Sequence, residues 1–181
     1  MERHPLLFNV DEISEDGVKI DLLGNRELFK INDDDCSLTQ DVSLQGDIRK
    51  IYEELYFKGV FETQAKLLCC RCLGPVVRSL KGEAYCKFVP KGLEPELGAE
   101  MEIDPAGIDV EYFDGNTVDL ILTVRDAILL AAPSAITCGE QCRGLCSQCG
   151  VNLNKKTCDC QTGIEVDPRF EILKSLKFKN K

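Results

Sequence analysis

Cysteine spacing is the feature of this chain that most restricts what it can fold into. Six cysteines lie within the 23 residues from Cys138 to Cys160, in a chain of 181 residues with 11 cysteines and one histidine. The run contains a C-x2-C pair followed by glycine and, further along, a C-x-C pair. Zinc prefers tetrahedral thiolate cages, and a C-x2-C loop turns so that two sulfurs reach one ion. The spacing therefore predicts metal binding.

One complete site is available from local sequence alone. Cys146 and Cys149 form the C-x2-C pair, and Cys158 and Cys160 supply two more sulfurs shortly after it. We predict that these four cysteines hold one structural zinc ion. Gly150 directly follows the second ligand, where the backbone of such a loop can need a positive φ.

The other two cysteines of the run have no partners nearby. Cys138 and Cys142 precede the local site, and another C-x2-C loop, Cys69 and Cys72, stands far upstream after a predicted strand. We predict that these four sulfurs form a second zinc site, which would attach the β-sheet to the C-terminal module. Cys70 is an alternative to Cys69 as ligand, but two intervening residues chelate more comfortably than one. The sequence thus predicts one or two zinc ions.

Composition favours a globular protein inside the cell. With 44% apolar residues the chain has enough material for one domain or a domain with an appendage. The N-terminus lacks the basic start, apolar segment and cleavage site of an export signal, and clustered thiols in a reducing cytosol are more often metal ligands than disulfides. The longest apolar stretch, residues 118–132, is too short to span a bilayer. We expect a cytoplasmic location and no membrane partner.

Charge is unevenly distributed along the chain. Residues 1–137 hold 14 Lys and Arg against 26 Asp and Glu, whereas residues 138–181 hold 8 against 5. Such an acidic body lacks the long-range attraction to phosphate that drives nucleic-acid binding, so contact with RNA should be local or carried by a protein partner. We expect the acidic part to bind a basic protein.

The periodicity predicts an α+β fold. Apolar residues alternate with polar ones through much of the first ninety residues, most regularly from Phe57 to Leu67, and turn residues separate these runs. This pattern is typical of an antiparallel meander or barrel-like sheet. We predict an acidic β-rich domain over residues 1–137 and a cysteine-rich zinc module with a short C-terminal helix over residues 138–181.

Two further segments complete the first domain. Residues 92–119 contain nine acidic residues and no Lys or Arg, which favours an exposed loop, with Ile108, Val110 and Tyr112 alternating as one edge strand. Residues 118–132 are apolar nearly all round and stop before Pro133, which predicts one helix packed over the sheet.

The order of these motifs resembles the YceD family, the large ribosomal RNA subunit accumulation proteins of bacteria and plastids. The resemblance spans nearly the whole chain, and the doubled cysteine at Cys69 and Cys70 is a departure from the pattern. It rests on Cys69-x-Arg71-Cys72-Leu73, Ala132-Pro133, Cys138-x3-Cys142-Arg143-Gly144-Leu145-Cys146-x2-Cys149-Gly150-Val151-Asn152-Leu153-Asn154, Cys158-x-Cys160 and Asp167-Pro168-Arg169.

The resemblance implies a non-catalytic role in the accumulation of large-subunit ribosomal RNA, during assembly of that subunit. The implied partners are large-subunit RNA or a pre-ribosomal particle and a basic ribosomal protein. Basic side chains on a zinc-organised loop can reach phosphate. On that ground we expect RNA contact at Arg143, Lys155, Lys156 and Arg169.

Two other classes of function compete with this reading. A thiol-disulfide protein or a metal-dependent RNA-processing enzyme would use the cysteines chemically, and a generic zinc-ribbon adaptor would bind another complex. Catalytic zinc needs an open position and usually histidine or carboxylate ligands, whereas the only histidine here is His4. We therefore expect no enzymatic activity.

Overall fold

The computed structural model describes residues 4–93 and 109–160, which form a large β-sheet, a small one and a single α-helix. Two short 3-10 helices, Val10–Glu12 and Arg26–Phe29, lie between the first strands. The strands are β1 (Leu7–Asn9), β2 (Val18–Gly24), β3 (Cys36–Leu38), β4 (Val42–Ile51), β5 (Glu54–Leu68), β6 (Pro75–Pro90), β7 (Val110–Phe113) and β8 (Thr117–Asp119), and the helix is α1 (Ile121–Ala131).

The large sheet has the strand order β2-β4-β5-β6-β7, with β3 also paired to β5. Its pairs are antiparallel except β6 with β7, which is parallel. Strands β1 and β8 form a separate antiparallel pair. Among the described residues β2 and β7 each have one neighbouring strand, so the sheet is open and the barrel-like prediction was wrong. A mostly β fold with one helix was predicted correctly.

Strand β5 is the long central element of the sheet. Its inward residues are all buried, as the alternation predicts: Leu55, Phe57, Gly59, Phe61, Thr63, Ala65 and Leu67. Fourteen residue steps of about 3.3 Å make β5 roughly 46 Å long. One end of β5 joins β4 through a two-residue turn, and the other leads into the Cys69–Cys72 loop. This strand therefore sets the distance between the two ends of the molecule.

Helix α1 packs on β6, as predicted, but begins later than predicted. Val118 belongs to β8, where it pairs with β1, and Asp119 Oδ1 accepts a hydrogen bond from the Ile121 N–H at 2.9 Å. The carboxylate thus satisfies one of the free N–H groups at the helix start. The helix ends before Pro133, as predicted. No helix in residues 4–93 and 109–160 is long and apolar enough to cross a membrane.

Some predictions fall outside the described residues. The edge strand is confirmed as β7, which contains Val110 and Tyr112, but Ile108 and most of the acidic segment lie in residues 94–108. The C-terminal helix and Arg169 lie in residues 161–181, also outside the described part.

Gly46 allows β4 and β5 to approach closely. A Cβ at this position would overlap Lys58 O and lie 2.6 Å from Gly59 Cα, both backbone atoms of the neighbouring strand. We expect Gly46→Ala to destabilise the protein by about 1–3 kcal/mol, the usual range for overpacking, measured as a lower urea midpoint. Gly139→Ala is the control, because nothing lies within 4 Å of its Cβ. Equal midpoints for the two variants would contradict the close approach.

Candidate metal centres

Four cysteines that are distant in sequence meet at the end of β5. The sulfurs of Cys69, Cys72, Cys138 and Cys142 all lie within 4.8 Å of one another, and we call this group the bridging tetrad. Cys69 Sγ is 3.8 Å from Cys142 Sγ, and Cys72 Sγ is 3.7 Å from Cys138 Sγ. A tetrahedron with metal–sulfur bonds of ~2.3 Å has edges of about 3.8 Å. The spacing therefore fits one tetrahedral ion of the size of zinc.

A second group forms from neighbouring sequence. The sulfurs of Cys146, Cys149, Cys158 and Cys160 also lie within 4.8 Å of one another, and we call this group the local tetrad. Cys149 is exposed, whereas three members of the bridging tetrad are buried. Both groups thus have the geometry to hold a metal ion. The local tetrad is the more open to solvent.

The two C-x2-C loops have the same backbone hydrogen bonds. In each, the N–H of the first cysteine donates to the carbonyl five residues later at 2.8 Å, and the N–H four residues later donates back at 2.9 Å. The residue four positions on is Leu73 in one loop and Gly150 in the other, with φ of +54° and +71°. The expected positive φ at Gly150 is confirmed. Leu73 adopts the same left-handed conformation without being glycine.

Backbone amides stabilise the thiolate of the first cysteine in each loop. Burial raises the pKa of the Cys69 thiol, but hydrogen bonds from backbone N–H groups, chiefly that of Arg71, outweigh burial and lower the pKa to about 6. The backbone N–H of Cys149 is the main cause that lowers the pKa of Cys146 to about 6. These thiolates persist above about pH 6 and are protonated below it. Metal uptake is accordingly favoured above that pH.

The thiols of Cys138 and Cys160 show the opposite effect, because sulfurs in one cluster share protons. Hydrogen bonds to Cys142 and Cys72 raise the pKa of Cys138 to about 12, and a hydrogen bond to Cys149 raises that of Cys160 to about 12. Four thiolates cannot crowd together without a cation. In each tetrad, a bound metal ion would supply the positive charge that makes the last deprotonations favourable.

The segment after Cys142 is held against the upstream loop by backbone contacts. The Arg71 carbonyl accepts a hydrogen bond from the Leu145 N–H at 3.0 Å, and the Arg71 guanidinium donates to the Cys142 carbonyl at 3.4 Å. Gly144 has a φ of +76°, and a Cβ there would lie 3.0 Å from the Arg71 oxygen. Glycine is required at this position for both reasons.

Two asparagines contact the bridging tetrad, and sequence reasoning assigned them no role. Asn154 Nδ2 donates to Cys142 Sγ at 3.3 Å, while its Oδ1 accepts from the Arg143 N–H at 2.8 Å. Asn152 Nδ2 donates to the Cys72 carbonyl at 3.2 Å. The Asn154 side chain is the main cause that lowers the pKa of the Cys142 thiol. The sequence signal that could have indicated this role is the position of both asparagines between the two cysteine pairs of the local tetrad.

The structure groups all eight predicted cysteines into the two predicted sets. Cys70, the alternative to Cys69, is exposed, and its N–H donates to the Ile136 carbonyl at 2.8 Å. Of the predicted RNA contacts, Arg143, Lys155 and Lys156 are exposed on the module. The backbone N–H groups of Lys155 and Lys156 both donate to the Asn152 carbonyl at 3.0 Å. These hydrogen bonds hold the backbone from which the two lysine side chains extend.

Comparison with known proteins agrees with this pattern of cysteines. The family model described as "Large ribosomal RNA subunit accumulation protein YceD" matches residues 57–177, a range that includes every cysteine of both tetrads. The chain belongs to the YceD family. No solved structure matches this YceD protein.

Curated relatives come from plants and bacteria. An Arabidopsis thaliana chloroplast protein named "Large ribosomal RNA subunit accumulation protein YCED homolog 1" is 40% identical over 148 residues, covering 66% of this chain and 43% of that protein. The Zea mays protein of the same name is 26% identical, covering 64% and 47%. An uncharacterized protein of Mycobacterium tuberculosis is 31% identical, covering 58% and 47%. The chain spans about half the length of the curated relatives it matches.

Loss of the Asn154 amide should weaken metal binding at the bridging tetrad. We expect Asn154→Ala to lower the affinity of one of two sites roughly 10- to 100-fold, as removal of outer-shell hydrogen bonds does in other metal proteins. Titration with Co²⁺, followed by thiolate absorption, measures this. Asn25→Ala is the control, because Asn25 caps a 3-10 helix away from both tetrads. Equal affinities in the two variants would contradict a role for the Asn154 hydrogen bond.

Proposed function

We propose that this protein is a non-catalytic factor for the accumulation of large-subunit ribosomal RNA, acting during assembly of that subunit and stabilised by two structural zinc ions. Its membership of the YceD family is the observation that carries the proposal. The two plant relatives are named for large ribosomal RNA subunit accumulation, which supports the coarser part of the proposal. The two cysteine tetrads account for how the chain holds the shape that this role needs.

The chemistry of the donor sets favours structural zinc. Each tetrad offers four sulfurs, which fill the tetrahedral coordination of zinc and leave no position for water or substrate. Catalytic zinc sites keep such a position open. His4, the only histidine, lies 3.3 Å from Asp119, and neither belongs to a tetrad. Closed sulfur cages are inert scaffolds, so zinc here would maintain the fold and take no part in a reaction.

The charge distribution suggests how the factor meets its partners. Arg143, Lys155 and Lys156 project from the segment that the tetrads organise, and with Arg169 they are the residues we assign to phosphate contact. The acidic first part of the chain suits a basic ribosomal protein. A thiol-disulfide enzyme would instead need free thiols at Cys69 and Cys72, and an adaptor of another complex would not co-purify with large-subunit precursors.

Metal analysis of two adjacent cysteine variants tests the zinc assignment. Wild type should contain two zinc ions per chain, and Cys69→Ser should retain one, because Cys69 is a member of the bridging tetrad. Cys70→Ser is the matched control, with the same change one position away at an exposed thiol, and should retain both ions. One zinc ion in the wild type, or equal loss in the two variants, would refute the assignment.

Charge reversal tests the role in ribosome assembly. Lys155→Glu with Lys156→Glu should reduce co-sedimentation with large-subunit precursors, because phosphate repels the new carboxylates, while zinc content stays unchanged. Lys81→Glu with Lys91→Glu is the control, since both lysines are exposed and belong to β6 or its end. Unchanged co-sedimentation of the first variant would remove these lysines from the interface. A wild-type protein that associates with no large-subunit precursor would overturn the proposed function itself.

A further inference from the structure

The chain's four tyrosines are gathered at one end of the large sheet, away from the two cysteine tetrads. The chain has four tyrosines and no tryptophan. Tyr52 lies in the turn between β4 and β5, Tyr56 follows near the start of β5, and Tyr85 and Tyr112 lie on β6 and β7. The strand register explains how they come together.

In this register, residues directly opposite each other share a face of the sheet. Three rows of such residues cross the sheet next to the turn at Tyr52, on the face opposite the buried core. The first consists of two pairs, Ile51 with Glu54 and Val89 with Tyr112, and the other two are Arg49, Tyr56, Lys87 and Val110, and Lys19, Asp47, Lys58 and Tyr85. Of these residues only Val89 is buried. We call this area, with Tyr52, the tyrosine platform.

Cations lie beside the rings of the platform. Lys58 Nζ is 5.3 Å from the centre of the Tyr85 ring, and Lys87 Nζ is 5.8 Å from that of Tyr56. Glu54 holds the second pair in place, since it accepts from the Tyr56 hydroxyl at 2.6 Å and pairs with Lys87 at 2.8 Å. Tyrosine rings and lysine ammonium groups therefore lie side by side in an arrangement that these contacts hold.

The platform differs in charge from the rest of the first domain. Its three rows contain four cations, Lys19, Arg49, Lys58 and Lys87, against the carboxylates Asp47 and Glu54, and the turn beside Tyr52 adds Glu53. Arg49 pairs with Asp47 and Lys87 with Glu54, so the excess of positive charge is carried by Lys19 and Lys58. The chain as a whole has a formal charge of -9. A locally positive area on an acidic protein attracts an anionic partner only at short range. Charge complementarity here favours a polyanion with flat rings over a basic or apolar partner.

Tyr52 adds a strained and exposed aromatic ring. Its side chain is 90% exposed, and its φ is +58° at the first position of a two-residue turn, where glycine is preferred. A tyrosine in this conformation destabilises the fold and buries nothing in return. Tyr85 and Tyr112 are also accessible, with 36% and 38% of their surfaces exposed. Exposure of these rings serves contact with a partner better than it serves folding.

We propose that the tyrosine platform binds single-stranded RNA, with bases stacked on the tyrosine rings and phosphates held by Arg49, Lys58 and Lys87. Base–aromatic stacking beside cations is how sequence-tolerant single-strand sites work. The choice of RNA as the nucleic acid rests on the proposed role in ribosomal RNA accumulation. Along strand β5 the rows of this site lie about 33–46 Å from the cysteine loop, so the two proposed RNA contacts lie towards opposite ends of the strand.

Intrinsic fluorescence gives a direct test, because without tryptophan the emission comes from the four platform tyrosines. Zinc-loaded full-length protein is titrated with an oligoadenosine of about 10 nucleotides, a length typical of such sites. We expect saturable quenching of tyrosine emission after correction for absorption by the RNA. Unchanged emission at saturating RNA, as measured by anisotropy of a labelled oligonucleotide, would overturn the proposal. Absence of any binding would also overturn it and leave the surface to a protein partner.

Variants of exposed residues separate stacking from charge. Tyr85→Ala should weaken binding of the labelled oligonucleotide roughly 5- to 100-fold, the range for loss of one stacked base, whereas Tyr85→Phe should bind within about 2-fold of wild type because the ring remains. Equal affinity of the Ala and Phe variants would contradict stacking on Tyr85. Thermal unfolding confirms that each variant folds, as expected for a partly exposed side chain.

Lys58→Glu should weaken binding and reduce its salt dependence, because one phosphate contact is lost. Lys81→Glu is the matched control, with the same charge change on the same face outside the three rows. An equal loss of RNA affinity in the two variants would show that only the net charge of the protein matters, and would refute binding at the tyrosine platform. Co-sedimentation of the Tyr85→Ala variant with large-subunit precursors distinguishes RNA binding at the platform from the proposed function. If the platform fails to bind RNA but the wild type still associates with large-subunit precursors, the proposed function stands and only the platform falls.

Discussion

The meeting of four cysteine sulfurs at the bridging tetrad is the contact that controls how this chain is put together. Cys69 and Cys142 are 73 residues apart in sequence, yet their sulfurs lie 3.8 Å apart. Closing so long a loop costs conformational entropy, and a metal ion held by the four sulfurs would offset that cost directly. The contacts of Arg71, Gly144 and Asn154 all surround this junction. Without the ion, crowded thiols with conflicting pKa values would favour separation of the module from the sheet.

Features that depend on local sequence spacing could be predicted from the sequence, whereas contacts between distant segments were predicted only in part. The alternation along β5 and the local tetrad follow from short-range spacing, and the pairing of Cys69 with Cys142 followed from counting unpaired cysteines. The start of α1 was predicted too early because an apolar residue such as Val118 suits a helix and a strand equally well. Its pairing with β1, which places it in a strand, is a contact with a distant part of the sequence. The parallel pairing of β7 with β6 was missed because the alternation within a strand does not say in which direction it runs beside its neighbour. The role of Asn154 depends on which sulfur it meets in space, which spacing does not encode.

The structure also divides the protein's surface in a way that composition concealed. A net charge of -9 argued against RNA as a direct partner of the first domain. The register across β2, β4, β5 and β6 shows that four cations share one end of one face with the tyrosines, beside Asp47, Glu54 and, in the turn, Glu53. The net charge of the chain therefore predicts a basic partner for the first domain as a whole. The arrangement of charged side chains on each face decides what that face can contact. Two basic areas, separated by the length of β5, would let one protein hold two points of a folding RNA.

X-ray absorption at the zinc edge tests the central claim most directly, because it reports the ligand atoms around each ion in the intact protein. The account predicts an average of four sulfur neighbours per zinc at ~2.3 Å and no lighter ligand. Nitrogen or oxygen neighbours at about 2.0–2.2 Å, or fewer than four sulfurs per zinc, would contradict closed structural cages and reopen the case for a catalytic metal.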